Sequence, residues 1–213
     1  METATILPEK TKSLPPAKAW TQAEFHQLPE GPPFYELDEG VLREIPHPRF
    51  RHQKIVGLLF AALSAFVIKR GLGEVWPEVE VDITPAQTYV PDLIYLTPEN
   101  MARIEDDLRL VGPPDLAVEV ISPSTALQDK SRKLIVYQEA GVPWYWLVEP
   151  ELLIYEYKNT SEGFLLTQVA APGDSFSPQL FPGLTFNLAE LMGELEPAEE
   201  KEETLPAAAD HHE

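Results

Sequence analysis

The 213-residue chain contains no cysteine, which excludes disulfides and thiolate metal sites. Any metal it holds must take oxygen or histidine ligands. It also lacks an apolar run of membrane-spanning length, since Gly57 to Ile68 is too short and stops at Lys69-Arg70-Gly71. The opening residues METATILPEKTK have no signal-peptide core, so the expected location is the cytoplasm, away from membranes. No Gly/Ser-rich linker and no internal repeat divides the sequence, which is long enough for one α/β domain with a real core. Basic residues are scarce: 16 Lys and Arg stand against 35 Asp and Glu, for a net charge of −19.

That charge is uneven. The last twenty residues hold eight acids and one lysine, which puts −7 there and leaves −12 for the rest. An acidic body argues against broad, nonspecific affinity for nucleic acid. Two local groups run the other way: Arg43, Arg49, Arg51 and Lys54, then Lys130, Arg132 and Lys133. A basic lining on an acidic protein is therefore an open possibility.

Three regions follow from these patterns: an extension over 1–19, one domain over 20–193, and an acidic, disordered tail over 194–213. Within the domain, Thr21 and Glu24 form a capping box for a short helix. FYELDEGVLREI reads as a hairpin turning at Asp38-Glu39-Gly40, with Gly40 where positive φ is wanted. A long helix follows over RFRHQKIVGLLFAALSAFVIKRG; Ile55, Leu59, Ala62, Leu63 and Phe66 share one face and Gly71 stops it. EVWPEVEVDIT and YVPDLIYLT are each expected to be strands, and 98–114 a loop with a helical turn. PDLAVEVIS is apolar enough for a strand buried on both faces. A helix capped by Ser124 or Thr125 and stopped by Gly141 comes next, so that the strand at 115–121, this helix and the strand at 144–149 make a βαβ unit. PWYWLVEP, LLIYEYK and FLLTQVA are three strands in meander spacing, followed by a short helix near Asn187. The order predicts an α/β fold, a mixed sheet flanked by helices.

Two of these strands carry a carboxylate where an apolar residue would pack better: Asp92 in YVPDLIYLT and Glu119 in DLAVEVIS. A buried carboxylate costs several kcal/mol unless it is paired. If the strands are neighbours the two acids converge, and a hard divalent cation such as Mg²⁺ between them would relieve their repulsion. Metal-assisted phosphodiester hydrolysis would then follow. The structural alternative has Asp92 capping a turn after Pro91 and Glu119 paired with a core arginine. Spacing alone does not separate the two.

The motifs VPDLIYL, PDLAVEVISPST and DKSRKLIVYQEAGVPWYWLVEP, preceded by YELDEGVL and RHQKI, resemble the Uma two family of restriction-endonuclease-like proteins, in the PD-(D/E)XK nuclease superfamily. The resemblance covers residues 20 to 190. It implies the restriction-endonuclease-like fold, with a central mixed sheet between helices and a Mg²⁺ or Mn²⁺ site at the sheet edge. Asp92 would be the PD aspartate, Glu119 the second acid, and the Val120 carbonyl a third metal ligand. The motif lysine should fall at 121, where this chain has Ile121. The resemblance moves that role to Lys133 on the following helix, with Lys130 as its competitor and Tyr137 one turn beyond Lys133. It also suggests Glu36 as a further acid of the site. Glu80 has similar placement on its own strand, His52 could contact phosphate or move a proton, and Ser122 could hydrogen-bond Glu119. Trp144 and Trp146 read as core aromatics, with base stacking as the other use.

Three functions compete. The first is a Mg²⁺-dependent DNA endonuclease, acting as a homodimer because two strands must be cut by one site per chain. The second is the same fold kept as a catalytically inactive binding or regulatory module, which Ile121 and the acidic charge favour. The third, a sugar or nucleotide hydrolase with paired carboxylates, has no motif behind it.

Overall fold

The computed structural model describes residues 18–29, 31–121 and 128–195, with side chains from 131 onward in the last stretch. Ser122, the cap at Ser124 or Thr125, the Lys130 side chain and most of both termini lie outside the described residues.

Helix α1 (Gln22–Phe25) carries the capping box, with the Thr21 side chain and the Glu24 backbone and carboxylate satisfying each other. Strands β1 (Tyr35–Asp38) and β2 (Val41–Glu44) form the hairpin, with Asp38 opposite Val41. Both turn residues have positive φ, Glu39 at 50° and Gly40 at 81°, the geometry that matches the twist of a two-residue hairpin. Helix α2 (Phe50–Arg70) runs without interruption to Gly71, which is left-handed at φ 64°. By length and composition α2 could cross a membrane, but its stripe of Ile55, Leu59, Leu63 and Phe66 is buried in a protein core.

The expected strand EVWPEVEVDIT is two strands, β3 (Glu74–Pro77) and β4 (Glu80–Thr84), which lie in different sheets. The break is at Glu78, whose φ of 47° is incompatible with an extended chain. YVPDLIYLT also divides, into β5 (Gln87–Tyr89) and β6 (Leu93–Leu96). Pro91 supplies no N–H between them, and Asp92 falls at the entrance to β6. The expected loop at 98–114 contains a 3₁₀ turn (Asn100–Arg103) and two short strands, β7 (Ile104–Glu105) and β8 (Arg109–Val111). Beyond these come β9 (Leu116–Val120), α3 (Gln128–Glu139), β10 (Trp144–Val148), β11 (Ile154–Thr160), β12 (Gly163–Ala170) and α4 (Leu188–Met192).

The strands make two mixed sheets, ordered β2-β1-β5-β4-β8-β7 and β12-β11-β10-β9-β6-β3. The β9–α3–β10 unit is parallel, as its crossover helix requires, and β10, β11 and β12 form the antiparallel meander. The centre of the second sheet, β6, β9 and β10, is buried on both faces. Leu116, Val118, Val120 and Trp146 share a core with α2 and the segment from Phe176 to Met192. Ala117, Tyr145 and Leu147 share another with α3 and with Val81, Ile83 and Tyr89 of the first sheet. The period-2 alternation of β9 therefore aims Glu119, two residues from Ala117, at α3.

Candidate active site

A cleft of about 350 Å³ opens between the two sheets, lined by Glu36, His52, Asp92, Glu119, Lys133 and Tyr145 among others. Each acid is placed there by backbone structure. β6 pairs with β9 only as far as Leu93 opposite Val118. Past that point the Asp92 side chain continues the ladder, its Oδ2 accepting the Val120 N–H at 2.6 Å. The other oxygen, Oδ1, meets His52 Nε2 at 3.3 Å, which ties the first turn of α2 to the sheet. Glu36, on β1, accepts the Val90 N–H at 3.0 Å just ahead of Pro91.

Lys133 and Tyr137, one turn apart on α3, converge on Glu119. Lys133 Nζ donates to Glu119 Oε1 at 2.9 Å and to Glu36 Oε1 at 2.8 Å. The Tyr137 hydroxyl donates to the same Glu119 oxygen at 2.7 Å. Glu119 Oε2 takes no hydrogen bond from any described residue. Two carboxylates thus share one ammonium group, with the side chains of Glu36, Glu119 and Lys133 12–17% exposed, while Asp92 is held beside them by His52 and the Val120 N–H.

The electrostatics follow from that crowding. Burial pushes the Glu119 carboxyl up, to about 7; Lys133 pulls it back, while Asp92 and Glu36 add to the rise. For Lys133, burial opposes the charged form, but Glu119 and Glu36 outweigh it and hold the ammonium well above its ordinary value. Burial likewise works against a charged His52, yet the hydrogen-bonded Asp92 carboxylate leaves its pKa raised. Tyr137 is pushed well upward by burial and then by Glu119, so its hydroxyl stays a donor.

Comparison with known proteins agrees with this architecture. The sequence matches the Uma2 family, described as "Putative restriction endonuclease", over residues 22–189. The chain belongs to the Uma2 family. A crystal structure of a "putative nuclease belonging to DUF820" from Anabaena variabilis ATCC 29413 superposes with a TM-score of 0.68 at 21% identity, covering 82% of this chain and 98% of that one. The fold is accordingly the restriction-endonuclease-like one, here with its strands divided between two mixed sheets. No curated protein of established function matches.

Of the residues singled out in the sequence, the structure of this Uma2 protein brings together Glu36, His52, Asp92, Glu119, Val120, Lys133 and Tyr137. Ile121, in the position of the motif lysine, lines the same cleft. Glu80 does not belong there. It points, with Asp82, at His26 beyond α1, where His26 Nε2 lies 3.1 Å from Asp82 Oδ1 and 3.5 Å from Glu80 Oε1. Val81 and Ile83 are packed into the core, and the alternation of β4 sends its acids to the opposite side. These three side chains are close enough to surround an ion, but Arg109 already approaches Glu80 at 3.8 Å and Thr88 donates to Asp82. The basic group at 43–54 is split as well. Arg51 is engaged by Glu194 and the Pro150 carbonyl, and Lys54 by the Met192 carbonyl, while Arg43 and Arg49 line the cleft.

Sequence reasoning missed the neighbouring Asp38. It is 3% exposed and bound by Arg132, Arg43 and the Tyr89 hydroxyl. Its position in a hairpin turn made it look like a turn former.

Proposed function

We propose that the protein is a divalent-metal-dependent endonuclease that hydrolyses DNA phosphodiester bonds in the Asp92–Glu119 cleft. The observation that supports this reading best is the surplus of carboxylate: Glu36 and Glu119 share the single ammonium of Lys133, Asp92 lines the same cleft, and Glu119 is held up to about 7. An all-oxygen donor set of this kind fits Mg²⁺ or Mn²⁺. Asp92, Glu119 and the Val120 carbonyl would hold the ion. When bound, the ion supplies charge neutralisation at the phosphate and an acidified water.

The chain's own groups do the rest. Lys133 keeps its proton and places a fixed positive charge where negative charge develops on the transferring phosphoryl group. Moving the lysine from position 121 to α3 retains the function because an ammonium on a flexible stem needs only to reach the same point. Tyr137 fixes the Glu119 oxygen from behind. His52 orients Asp92 through its Nε2. Cutting both strands of a duplex calls for a two-fold dimer, and action in the cytoplasm fits the reading.

The test is plasmid cleavage with Mg²⁺ or Mn²⁺ by the wild type, Asp92→Ala and Glu119→Ala. The wild type should nick or linearise and both variants should be silent; equal nicking by all three would end the proposal. The second reading, an inactive fold used for binding, has two observations in its favour. Lys133 is already engaged by two carboxylates, and Ile121 occupies the usual lysine position. DNA binding without metal-dependent cleavage would select it.

A further inference from the structure

We propose that His26, Glu80 and Asp82 form a transition-metal site of their own, apart from the cleft, which takes Zn²⁺ and clasps α1 to the first sheet.

The three residues come from two elements that the fold brings together. His26 is the C-cap of α1. Glu80 and Asp82 are alternate residues of β4, so their side chains leave the strand on the same face. The ligand atoms of the three all lie within 4.8 Å of one another. His26 Nε2 is 3.1 Å from Asp82 Oδ1 and 3.5 Å from Glu80 Oε1. A tetrahedral Zn²⁺ with bonds near 2.1 Å sets its donors roughly 3.4 Å apart, so both spacings suit one shared ion. The side chains are 10–33% exposed, which leaves a fourth position open to water.

Hydrogen bonding alone does not complete the cluster. An imidazole nitrogen carries at most one hydrogen, and Nε2 faces two carboxylates. Glu80 takes no hydrogen bond from any described residue. Arg109 Nη1 stops 3.8 Å from it, past hydrogen-bonding reach, and the Arg109 Nε is buried without a partner among the described residues. Burial raises the Glu80 carboxyl above its ordinary value, and the nearby His26 and Arg109 do not bring it back. Thr88 donates to Asp82 Oδ1 at 2.7 Å and is itself held by Gln22 of α1 at 2.9 Å. That bond takes one lone pair and fixes the carboxylate's orientation, as a hydroxyl behind a metal ligand does.

The donor set selects the ion. An imidazole nitrogen suits Zn²⁺, whereas Mg²⁺ and Ca²⁺ prefer all-oxygen sets such as that of the cleft. The placement selects the role. Helix α1 has four residues, too few to persist without tertiary support. An ion shared between its C-cap and β4 fixes it on the sheet, so that metal binding adds to folding stability.

The test is isothermal titration with Zn²⁺ and a dye-based melt of the full chain, in an Asp92→Ala background that also carries His211→Ala and His212→Ala. These changes remove an acid of the cleft and the histidine pair near the end of the sequence. The background should bind a single Zn²⁺ and melt several degrees higher with it, while Mg²⁺ should leave the melt unmoved. His26→Gln and Asp82→Asn should each weaken Zn²⁺ roughly a hundredfold and Thr88→Val about tenfold. Arg109→Gln removes a competing cation and should tighten binding a few-fold. In the protein with His26, Glu80 and Asp82 intact, an NMR titration with Zn²⁺ should move the His26 imidazole resonances, a readout that needs no variant to fold. Zn²⁺ affinity unchanged by His26→Gln overturns the site, as does a His26 imidazole that ignores Zn²⁺; the three residues are then a hydrogen-bonded cluster only. A melt that Mg²⁺ raises as much as Zn²⁺ overturns the choice of ion.

Discussion

Arg132 and Lys133 are consecutive residues of α3, and each reaches an acid on β1, yet the two pairs are built on opposite principles. Arg132 binds Asp38 through both Nε and Nη2, with Arg43 and the Tyr89 hydroxyl adding to it. Arg132 also reaches Glu39 at 3.0 Å, so two carboxylates there meet two guanidinium groups. Burial alone would raise the Asp38 carboxyl, but the Arg132 hydrogen bonds, Tyr89 and Arg43 hold it below its ordinary 3.8. At Lys133 that balance is lost, with two carboxylates on one ammonium and Glu119 pushed up to about 7 by burial. A cluster whose charges balance is complete and serves stability. A cluster with surplus buried anions is incomplete, and a further cation is what would complete it.

The contrast can be broken most decisively at the acids. Glu119→Gln and Asp92→Asn should lower metal-dependent cleavage at least a thousandfold, whereas Asp38→Asn should leave kcat within a few-fold in the same gel assay. Lys133→Ala should cost roughly a hundred- to a thousandfold in kcat, the range for losing one group that stabilises transition-state charge. Arg132→Ala should act on stability and spare kcat.

Metal should separate the clusters next. Saturating Mg²⁺ or Mn²⁺ at ~100 times its Kd should stabilise the wild type by about 2.7 kcal/mol. A dye-based melt should find that gain kept in Arg132→Ala and lost in Asp92→Ala. The ion competes with a proton for Glu119, so the gain should grow as pH rises through about 7 and flatten above it. A metal-induced shift that ignores pH between 6 and 8 would remove Glu119 from the ligand set.

Asp38 gives the complementary pH test. Its folded pKa is depressed, so its contribution is fully present above 3.8 and disappears as pH falls through the lower folded value. Urea melts from pH 5 to 2 should lose less stability in Asp38→Asn than in the wild type. At neutral pH that variant should be destabilised by about 1–3 kcal/mol, since Tyr89 and two guanidinium groups lose a buried acceptor. The smallest effect expected is that of Tyr137→Phe, about 1 kcal/mol in a melt, with a modest change in kcat.

Legibility varied with the range of the interactions involved. The hairpin at Asp38-Glu39-Gly40, the Gly71 and Gly141 stops and the Thr21–Glu24 box were readable because each is a contact within a few residues. The breaks at Glu78 and at Pro91-Asp92 were harder. EVWPEVEVDIT alternates without a flaw, and only the need to feed two different sheets forces Glu78 to a φ of 47°. Glu80 was misplaced for the same reason: alternation gives two faces, and the sheet to which the strand is added decides which one meets the cleft. Lys133 and Tyr137 were legible as a pair on one helical face, though their target was not.

By itself the sequence determined the local grammar of the protein. It specified where helices start and stop, which strands are apolar enough to lie inside, and that Asp92 and Glu119 are carboxylates in positions made for apolar residues. The tertiary structure decided that these acids share one cleft with Glu36, from a hairpin more than fifty residues earlier, where Lys133 pairs with Glu36 and Glu119, while Asp38 two residues along the same strand is held by two arginines. That outcome depends on sheet order and on the rotation of α3. Both are set by burying apolar surface across the whole chain, which no short stretch of sequence records.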